Sequence, residues 1–373
     1  MKQKLSLVIT NIVVVLILLI VIEAVGQVAY YFRYGMFLYQ MLPGADYPDV
    51  FELHPYLVGR LKKNVSATDA RTKERISATK YHTRSTGSQE NDSGLVRVAV
   101  LGGSTTFGTG VTDADSWPAI LQRKLGKGYC VINYGMPGYT TAEAIIQTAL
   151  IVPERKPQFV IFYEGWNDIH NYHVPDLGED YYADGMSQYE ILEIPIKRES
   201  KLWGELYQIS AIGRLAAKIK RVLTGPDVQP CPEYDTPDEF VDKIYVRNLE
   251  TLKLLSEHIA PYTLFVPQIL NYQAFKEKQN LDACSSSWST HIKNSAMPRL
   301  MDRLNLLMKT VCAENDPKCL YEGAVLKVKW QTDDFIDDGH FSKKGGEKFA
   351  DVIAATLLAK TREMNQYSHN HLQ

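Results

Sequence analysis

The sequence predicts an α/β domain, a three-layer sandwich of helices on both faces of a central parallel sheet, preceded by one N-terminal transmembrane helix. Three observations carry this expectation. From residue 95 onward, short runs of β-branched and aromatic residues alternate with longer stretches of helical pattern. Glycine-bearing blocks follow the first three of those runs, at the strand ends where parallel sheets bind ligands. The first segment, Leu5 to Ile22, is apolar apart from Ser6, Thr10 and Asn11.

At about 1.5 Å per residue, Leu5–Phe32 is long enough to cross a hydrocarbon layer of roughly 30 Å, with Glu23 near the far interface. Tyr30, Tyr31 and Phe32 resemble an interfacial aromatic belt, and Arg33 closes the run. Lys2 and Lys4 precede it, which places the N-terminus in the cytoplasm and the remaining chain on the extracytoplasmic side, periplasmic or extracellular. The rival reading is a cleaved signal peptide with Ala24-Val-Gly26 as its cleavage site. The length of the apolar run and the weakness of that site favour an uncleaved anchor, residues 1–33.

Residues 34–94 are polar and read as an irregular spacer wrapping the domain, with small basic clusters at Arg60–Lys63 and Arg71–Arg75. Strands are expected at Val96–Leu101, Cys130–Tyr134, Phe159–Tyr163 and Thr263–Val266. Helices are expected at Trp117–Leu125, Thr141–Ile151, Leu202–Val222, Phe240–His258, Met297–Cys312 and Lys344–Thr361. Two stretches interrupt the α/β rhythm of residues 95–362. The segments 169–239 and 271–292 read as insertions of the kind that form a substrate-facing rim. Residues 363–373 read as a polar tail.

Composition excludes some functions. The 373 residues are 45% hydrophobic, enough for a sizeable core, and Lys+Arg 41 against Asp+Glu 43 gives no global pull towards nucleic acid. Five cysteines fit an exported chain: Cys312 with Cys319 across a short polar turn, Cys231 with Cys284, and Cys130 as a buried free thiol. No C-x-x-C spacing or Cys/His cluster suggests zinc, so no metal or organic cofactor is expected.

The chemistry lies in four blocks. Val-Ala-Val-Leu-Gly-Gly-Ser-Thr-Thr (98–106) puts Ser104 directly behind a strand, and Asn133-Tyr-Gly-Met-Pro-Gly138 and Gly165-Trp-Asn-Asp168 follow the next two. Asp337-Asp-Gly-His340 stands before the last helix. A serine hydroxyl is a poor nucleophile unless a base takes its proton, a carboxylate orients that base, and donors receive the oxyanion. Each block taken alone has a plainer reading: Ser104 as a helix cap, Gly138 as part of a turn after Pro137, Asn167-Asp168 as a cap, Asp337-Asp-Gly as a turn. Together, in order, at strand ends, they point to acyl transfer at an ester carbonyl. Of nine histidines only His340 has an aspartate three residues earlier and a helix just after it, while Asp333, Asp334 and Asp338 are alternative orienting carboxylates.

Over roughly residues 95–360 the chain resembles the SGNH (GDSL-type) hydrolase superfamily, in its membrane-anchored Gly-Gly-Ser-Thr-Thr branch. Gly103 stands where the GDSL signature has Asp. The resemblance implies the flavodoxin-like SGNH fold, with Ser104 as nucleophile, His340 as general base and acid, and Asp337 as its orienting partner. It implies an oxyanion hole from the Ser104 backbone N–H, the Gly138 N–H and the Asn167 amide. The G-x-S-x-G elbow of α/β-hydrolases is not met, because Thr106 occupies its last glycine. Tyr139, Tyr163 and Trp166 flank the blocks, either as sugar-stacking surfaces or as core, and His170 and His173 read as surface residues.

The functional expectation is therefore an exported, membrane-anchored serine esterase acting on an ester-bearing small molecule, lipid or glycan, with acetyl as one candidate acyl group. Two rivals accompany it. An O-acyltransferase acting on an extracellular polysaccharide would use the same residues, and a non-catalytic glycan- or partner-binding protein would need none of them.

Overall fold

The computed structural model describes residues 2–34, 37–38, 50–57, 59–68, 73–88, 93–181, 210–224, 234–278, 281, 284, 291–312 and 316–370. They fall into two compact units. One comprises Met1–Pro48, Asp69–Lys73 and Pro195–Val228; the other comprises Asp49–Thr68, Glu74–Ile194 and Gln229–Gln373.

In the larger unit, β1 (Phe51–Leu53) pairs antiparallel with β2 (Gly59–Leu61), and β3 (Ser66–Thr68) with β4 (Arg75–Ser77). The expected irregular spacer is thus partly sheet. Strands of three residues leave too little alternation to read. Hydrogen bonds hold this segment to the domain: Asp113 Oδ1 accepts from Ser77 N at 3.1 Å, and Arg84 N donates to the Asn133 backbone O at 3.1 Å.

The core sheet has five parallel strands: β5 (Val96–Gly102), β6 (Tyr129–Asn133), β7 (Phe159–Tyr163), β8 (Tyr262–Phe265) and β9 (Cys319–Tyr321), in the order β6-β5-β7-β8-β9. The sequence reading missed β9, whose three residues Cys-Leu-Tyr carry no strand pattern. Parallel strands buried on both faces read as continuous apolar runs, and side chains alternate between the faces. Val98 and Val100 face a layer built from α3 (Trp117–Leu125) and the long C-terminal helix, against Ile120, Phe349 and Ile353. Ala99 and Leu101 face the other layer, with Ala144, Leu249, Leu252, Leu300 and Leu304.

Most helices lie where expected; of the expected Leu202–Val222, residues 202–209 lie outside the described residues and Ala211–Thr224 is helix. In chain order the helices are α1 (Lys2–Tyr34), α2 (Ser104–Phe107), α3, α4 (Thr141–Leu150), α5 (Ala211–Thr224), α6 (Glu239–Ile259), α7 (Tyr272–Glu277), α8 (Met297–Val311) and α9 (Lys343–Asn370). Thr140 and Glu143 form a capping box at α4, and Asp238 accepts from Phe240 N and Val241 N to cap α6. α9 runs through most of the expected polar tail, since Lys, Arg, Glu, Met and Gln are all good helix formers. Residues 182–209 and 225–233 of the first expected insertion lie outside the described residues, as do several of the second, 271–292, which begins with α7.

In the smaller unit, Ser6–Phe32 of α1 is the one stretch among the described residues that is long and apolar enough to cross a membrane or serve as a signal sequence, with mean hydropathy 3.0. Cysteine chemistry follows the expectation in the described residues. Cys312 and Cys319 are disulfide-bonded, Cys130 is a buried free thiol, and Cys284 is disulfide-bonded. Cys231, the partner expected for Cys284, lies outside the described residues.

Candidate active site

Strand order reverses between β5 and β7: the connection after β5 leads out to β6, and the chain then returns to the other side of β5. The carboxyl ends flanking such a switch point form the crevice of an open α/β sheet. Ser104 leaves the end of β5 as the first residue of α2, and Asn167 leaves the end of β7. The crevice therefore receives both by topology alone.

α2 has only four residues, and its carbonyls are held from outside. Asn133 Nδ2 donates to Thr106 O at 3.0 Å, and Arg84 Nη1 donates to Phe107 O at 2.8 Å and Gly108 O at 2.6 Å. Arg84 also donates to Val111 O at 2.7 Å, pairs with Asp113 at 3.0 Å, and lays its guanidinium 4.6 Å from the centre of the Phe107 ring. Its side chain is 0% exposed. Sequence reasoning passed over Arg84, because nothing in the local pattern distinguishes it from the exposed cations of the same segment.

His340 Nε2 lies 2.8 Å from Ser104 Oγ, and His340 Nδ1 lies 2.7 Å from Asp337 Oδ2. The other carboxylate oxygen, Asp337 Oδ1, accepts from Gly339 N at 2.9 Å and His340 N at 2.8 Å. One Asp337 oxygen thus closes the turn and the other faces the imidazole. Burial raises the Asp337 carboxyl, but its hydrogen bonds to His340 and Gly339 outweigh this and hold it below the ordinary carboxylate value. The three alternative carboxylates are engaged elsewhere: Asp338 with Lys278, Asp333 with Lys344, and Asp334 with Lys348. The loop is pinned by Asn271, beyond the end of β8, which donates from its backbone to Asp338 O at 2.9 Å and from Nδ2 to Asp337 O at 3.2 Å.

Gly138 sits in a Pro-Gly turn, where Tyr139 N donates to Met136 O at 3.3 Å and Gly138 has φ +81°. Glycine meets that angle without strain. Asn167 Nδ2 donates to Tyr139 O at 2.6 Å, which ties the second block to the third and leaves the amide a second N–H. A Cβ on Gly103 would stand 2.3 Å from Asn167 Nδ2 and 3.3 Å from Tyr139 O, so a side chain at 103 requires the Asn167 amide to shift from this position.

The flanking residues resolve into packing. Tyr139, Tyr163 and Trp166 are buried, and Trp166 presses on Gly339, where a Cβ would meet its ring at 2.8 Å. None of the three presents a ring face to solvent for a sugar to stack on. His170 packs edge-on to Trp166, and burial lowers its pKa to about 3. The residue is half-buried rather than a surface histidine. His173 stacks on Tyr234, its ring 4.4 Å away.

Behind Asn167 lies a pair of buried acids. Asp168 Oδ1 accepts from Thr141 N and Oγ1, at 3.2 and 2.5 Å, and Thr141 Oγ1 accepts from Asn248 Nδ2 at 2.9 Å. Burial pushes Asp168 up to about 7 despite those bonds, and pushes Glu164 well up, with Asp168 adding to it. Among the described residues no group of three or more His, Cys, Asp or Glu could hold a metal ion.

Ser104, His340 and Asp337 thus form one hydrogen-bonded chain at the switch point of a parallel sheet. Residues 100–262 match the model of the GDSL-like Lipase/Acylhydrolase family. Among solved structures the chain is similar to an acetylxylan esterase from Geobacillus stearothermophilus, at 15% identity and a TM-score of 0.39, covering 71% of this chain and 93% of that one. It is also similar to the lipase/acylhydrolase from Enterococcus faecalis, at 15% identity and a TM-score of 0.39, covering 71% of this chain and 97% of that one. No curated protein matches the chain.

Proposed function

We propose that this protein is a membrane-anchored serine esterase with its catalytic domain outside the cytoplasm. The observation that carries the reading is the chain from Ser104 Oγ through His340 to Asp337, at 2.8 and 2.7 Å. Its order is that required for a hydroxyl to lose its proton as it attacks.

Ser104 Oγ attacks the ester carbonyl while His340 Nε2 takes its proton. Asp337 holds Nδ1–H, fixing the tautomer and stabilising the imidazolium that forms. The carbonyl oxygen becomes an oxyanion, received by the backbone N–H of Ser104, which like other N–H groups in the first turn of a helix has no intrahelical partner, by the Gly138 N–H and by the second N–H of Asn167. Each such donor contributes about 2.7–4 kcal/mol to lowering the barrier. His340 then gives its proton to the leaving alkoxide, and the acyl group stays on Ser104. Water, deprotonated by the same imidazole, releases the acid and restores the serine.

The membrane part rests on α1. Its apolar length, with Lys2 and Lys4 before it, supports insertion with the N-terminus inside, and the disulfide between Cys312 and Cys319 accords with an oxidising compartment. The test is hydrolysis of a short-chain aryl acetate by the full chain, run with and without an oligosaccharide acceptor. Release of acetate in both supports the esterase. Acetyl transferred to the sugar with little hydrolysis replaces it by an acyltransferase, and no turnover and no serine-probe labelling replaces it by a binding protein.

A further inference from the structure

The smaller unit holds a second amphipathic element with no role in the chemistry. Glu23 is the one acid within Ser6–Phe32, and its carboxylate accepts from Ser210 Oγ at 2.8 Å, Ala211 N at 2.9 Å and Ile212 N at 3.1 Å. An acid that would be costly in an apolar helix thereby caps the first turn of α5. The two helices touch closely here: a Cβ on Gly26 would stand 2.3 Å from Ala211 Cβ. Arg214 stacks over Tyr30, 5.4 Å from its ring centre, and donates to its hydroxyl at 3.3 Å.

Height along α1 gives this contact a meaning. From Ser6 to Glu23 the helix axis advances about 26 Å at ~1.5 Å per residue, close to the far boundary of a hydrocarbon layer of roughly 30 Å. α5 therefore starts at the boundary between acyl chains and headgroups. Beyond its first turn, Leu215, Ile219 and Leu223 recur at every fourth position and are 49%, 50% and 78% exposed. The helix sequence carries Arg214, Lys218, Lys220 and Arg221 and no acid, and Lys218 is exposed. An apolar stripe beside cations, without acids, is the pattern of a helix lying in a membrane interface.

We infer that α5 lies in the headgroup layer of the membrane that α1 crosses, with Leu215, Ile219 and Leu223 among the acyl chains and Lys218 at lipid phosphates. This rests on the membrane reading of α1 given above. The partner is an anionic phospholipid surface, because the helix sequence carries four cations, with Lys218 exposed, and no acid for it to repel. α5 then adds a second point of attachment, fixed to the spanning helix through Glu23.

The experiment uses the full chain reconstituted in phosphatidylcholine vesicles with and without phosphatidylglycerol. Ile219→Cys and, separately, Leu16→Cys are labelled with an environment-sensitive fluorophore; Cys130 is buried, so labelling goes to the introduced thiol. The label at 219 is expected to lose more than half its emission to headgroup-proximal spin-labelled lipid, and to lose more when phosphatidylglycerol is present. The label at 16 is expected to be quenched by chain-end spin-labelled lipid in both. Quenching at 16 without quenching at 219 overturns the inference and leaves the span standing. Quenching at neither overturns both. Crosslinking of the 219 position to another copy, with its label unquenched, overturns the inference in favour of a protein contact.

Discussion

Gly103 and Asn167 compete for one space, with a Cβ on Gly103 standing 2.3 Å from Asn167 Nδ2. Gly103 has φ −79°, an angle that any residue adopts, so a side chain there disturbs the Asn167 amide and not the backbone. Gly103→Ala should displace the Asn167 amide and cost roughly 10²–10³ in turnover of an aryl ester, as Asn167→Ala should. Because both remove the same donor, the double variant should be little worse than either one. Serine-probe labelling should persist in all three. Wild-type turnover by Gly103→Ala contradicts this account of the amide.

Arg84 should matter to stability as much as any core residue. Replacing it with Met removes a donor from the Phe107, Gly108 and Val111 carbonyls and the cation from Asp113. The expected loss is about 3–5 kcal/mol, read from the urea midpoint of the Arg84→Met protein. Arg84→Lys should fall between, since an ammonium keeps the charge and loses the fork. A midpoint unchanged by Arg84→Met would show that this segment does not brace α2.

The buried acids give a pH dependence with a definite sign. Asp168 is pushed from its ordinary 3.8 up to about 7 by burial, so the folded protein keeps a proton that the unfolded chain releases between those values. The stability linked to that proton is full below about pH 4, declines as pH rises, and is gone above about pH 7. Asp168→Asn cannot ionise, and its oxygen can still accept from Thr141. Between pH 4 and pH 7 the variant should therefore lose less stability than the wild type, with a residual slope from Glu164, which is shifted the same way. Asp337 does not interfere. Its pKa is lowered, so its contribution is present above 3.8 and is lost only as pH falls through the folded value. Equal slopes for wild type and variant across this window would mean that Asp168 is ionised in the fold.

Much of this was legible beforehand for physical reasons. β6, β7 and the Val98–Leu101 part of β5 are buried and read as apolar runs, and α3, α4, α6 and α8 carry caps or periodicity that mark their ends. Ser104 stands in a block at a strand end and Asp337 and His340 in a block before the last helix, and the fold brings the three within hydrogen-bond distance. What was not legible lacks a local signature. β1–β4 and β9 are three residues long, too short for an alternating pattern, and β9 pairs with a strand far back in the chain. Arg84 acts on carbonyls more than 20 residues away, and Glu23 caps a helix 187 residues downstream of it. The close approach of Gly103 and Asn167 exists only once two strand ends meet.

The most direct test of the account is covalent capture of the acyl group. Wild-type protein mixed with an aryl acetate in rapid-quench conditions should show a burst of phenol and one acetyl adduct, mapped by mass spectrometry to the peptide that holds Ser104. Ser104→Ala and His340→Ala should each abolish turnover, and the double variant should be little worse, because the two residues act as one unit. A Ser104→Ala protein that hydrolyses the ester at the wild-type rate, or an adduct on any other residue, contradicts the central claim.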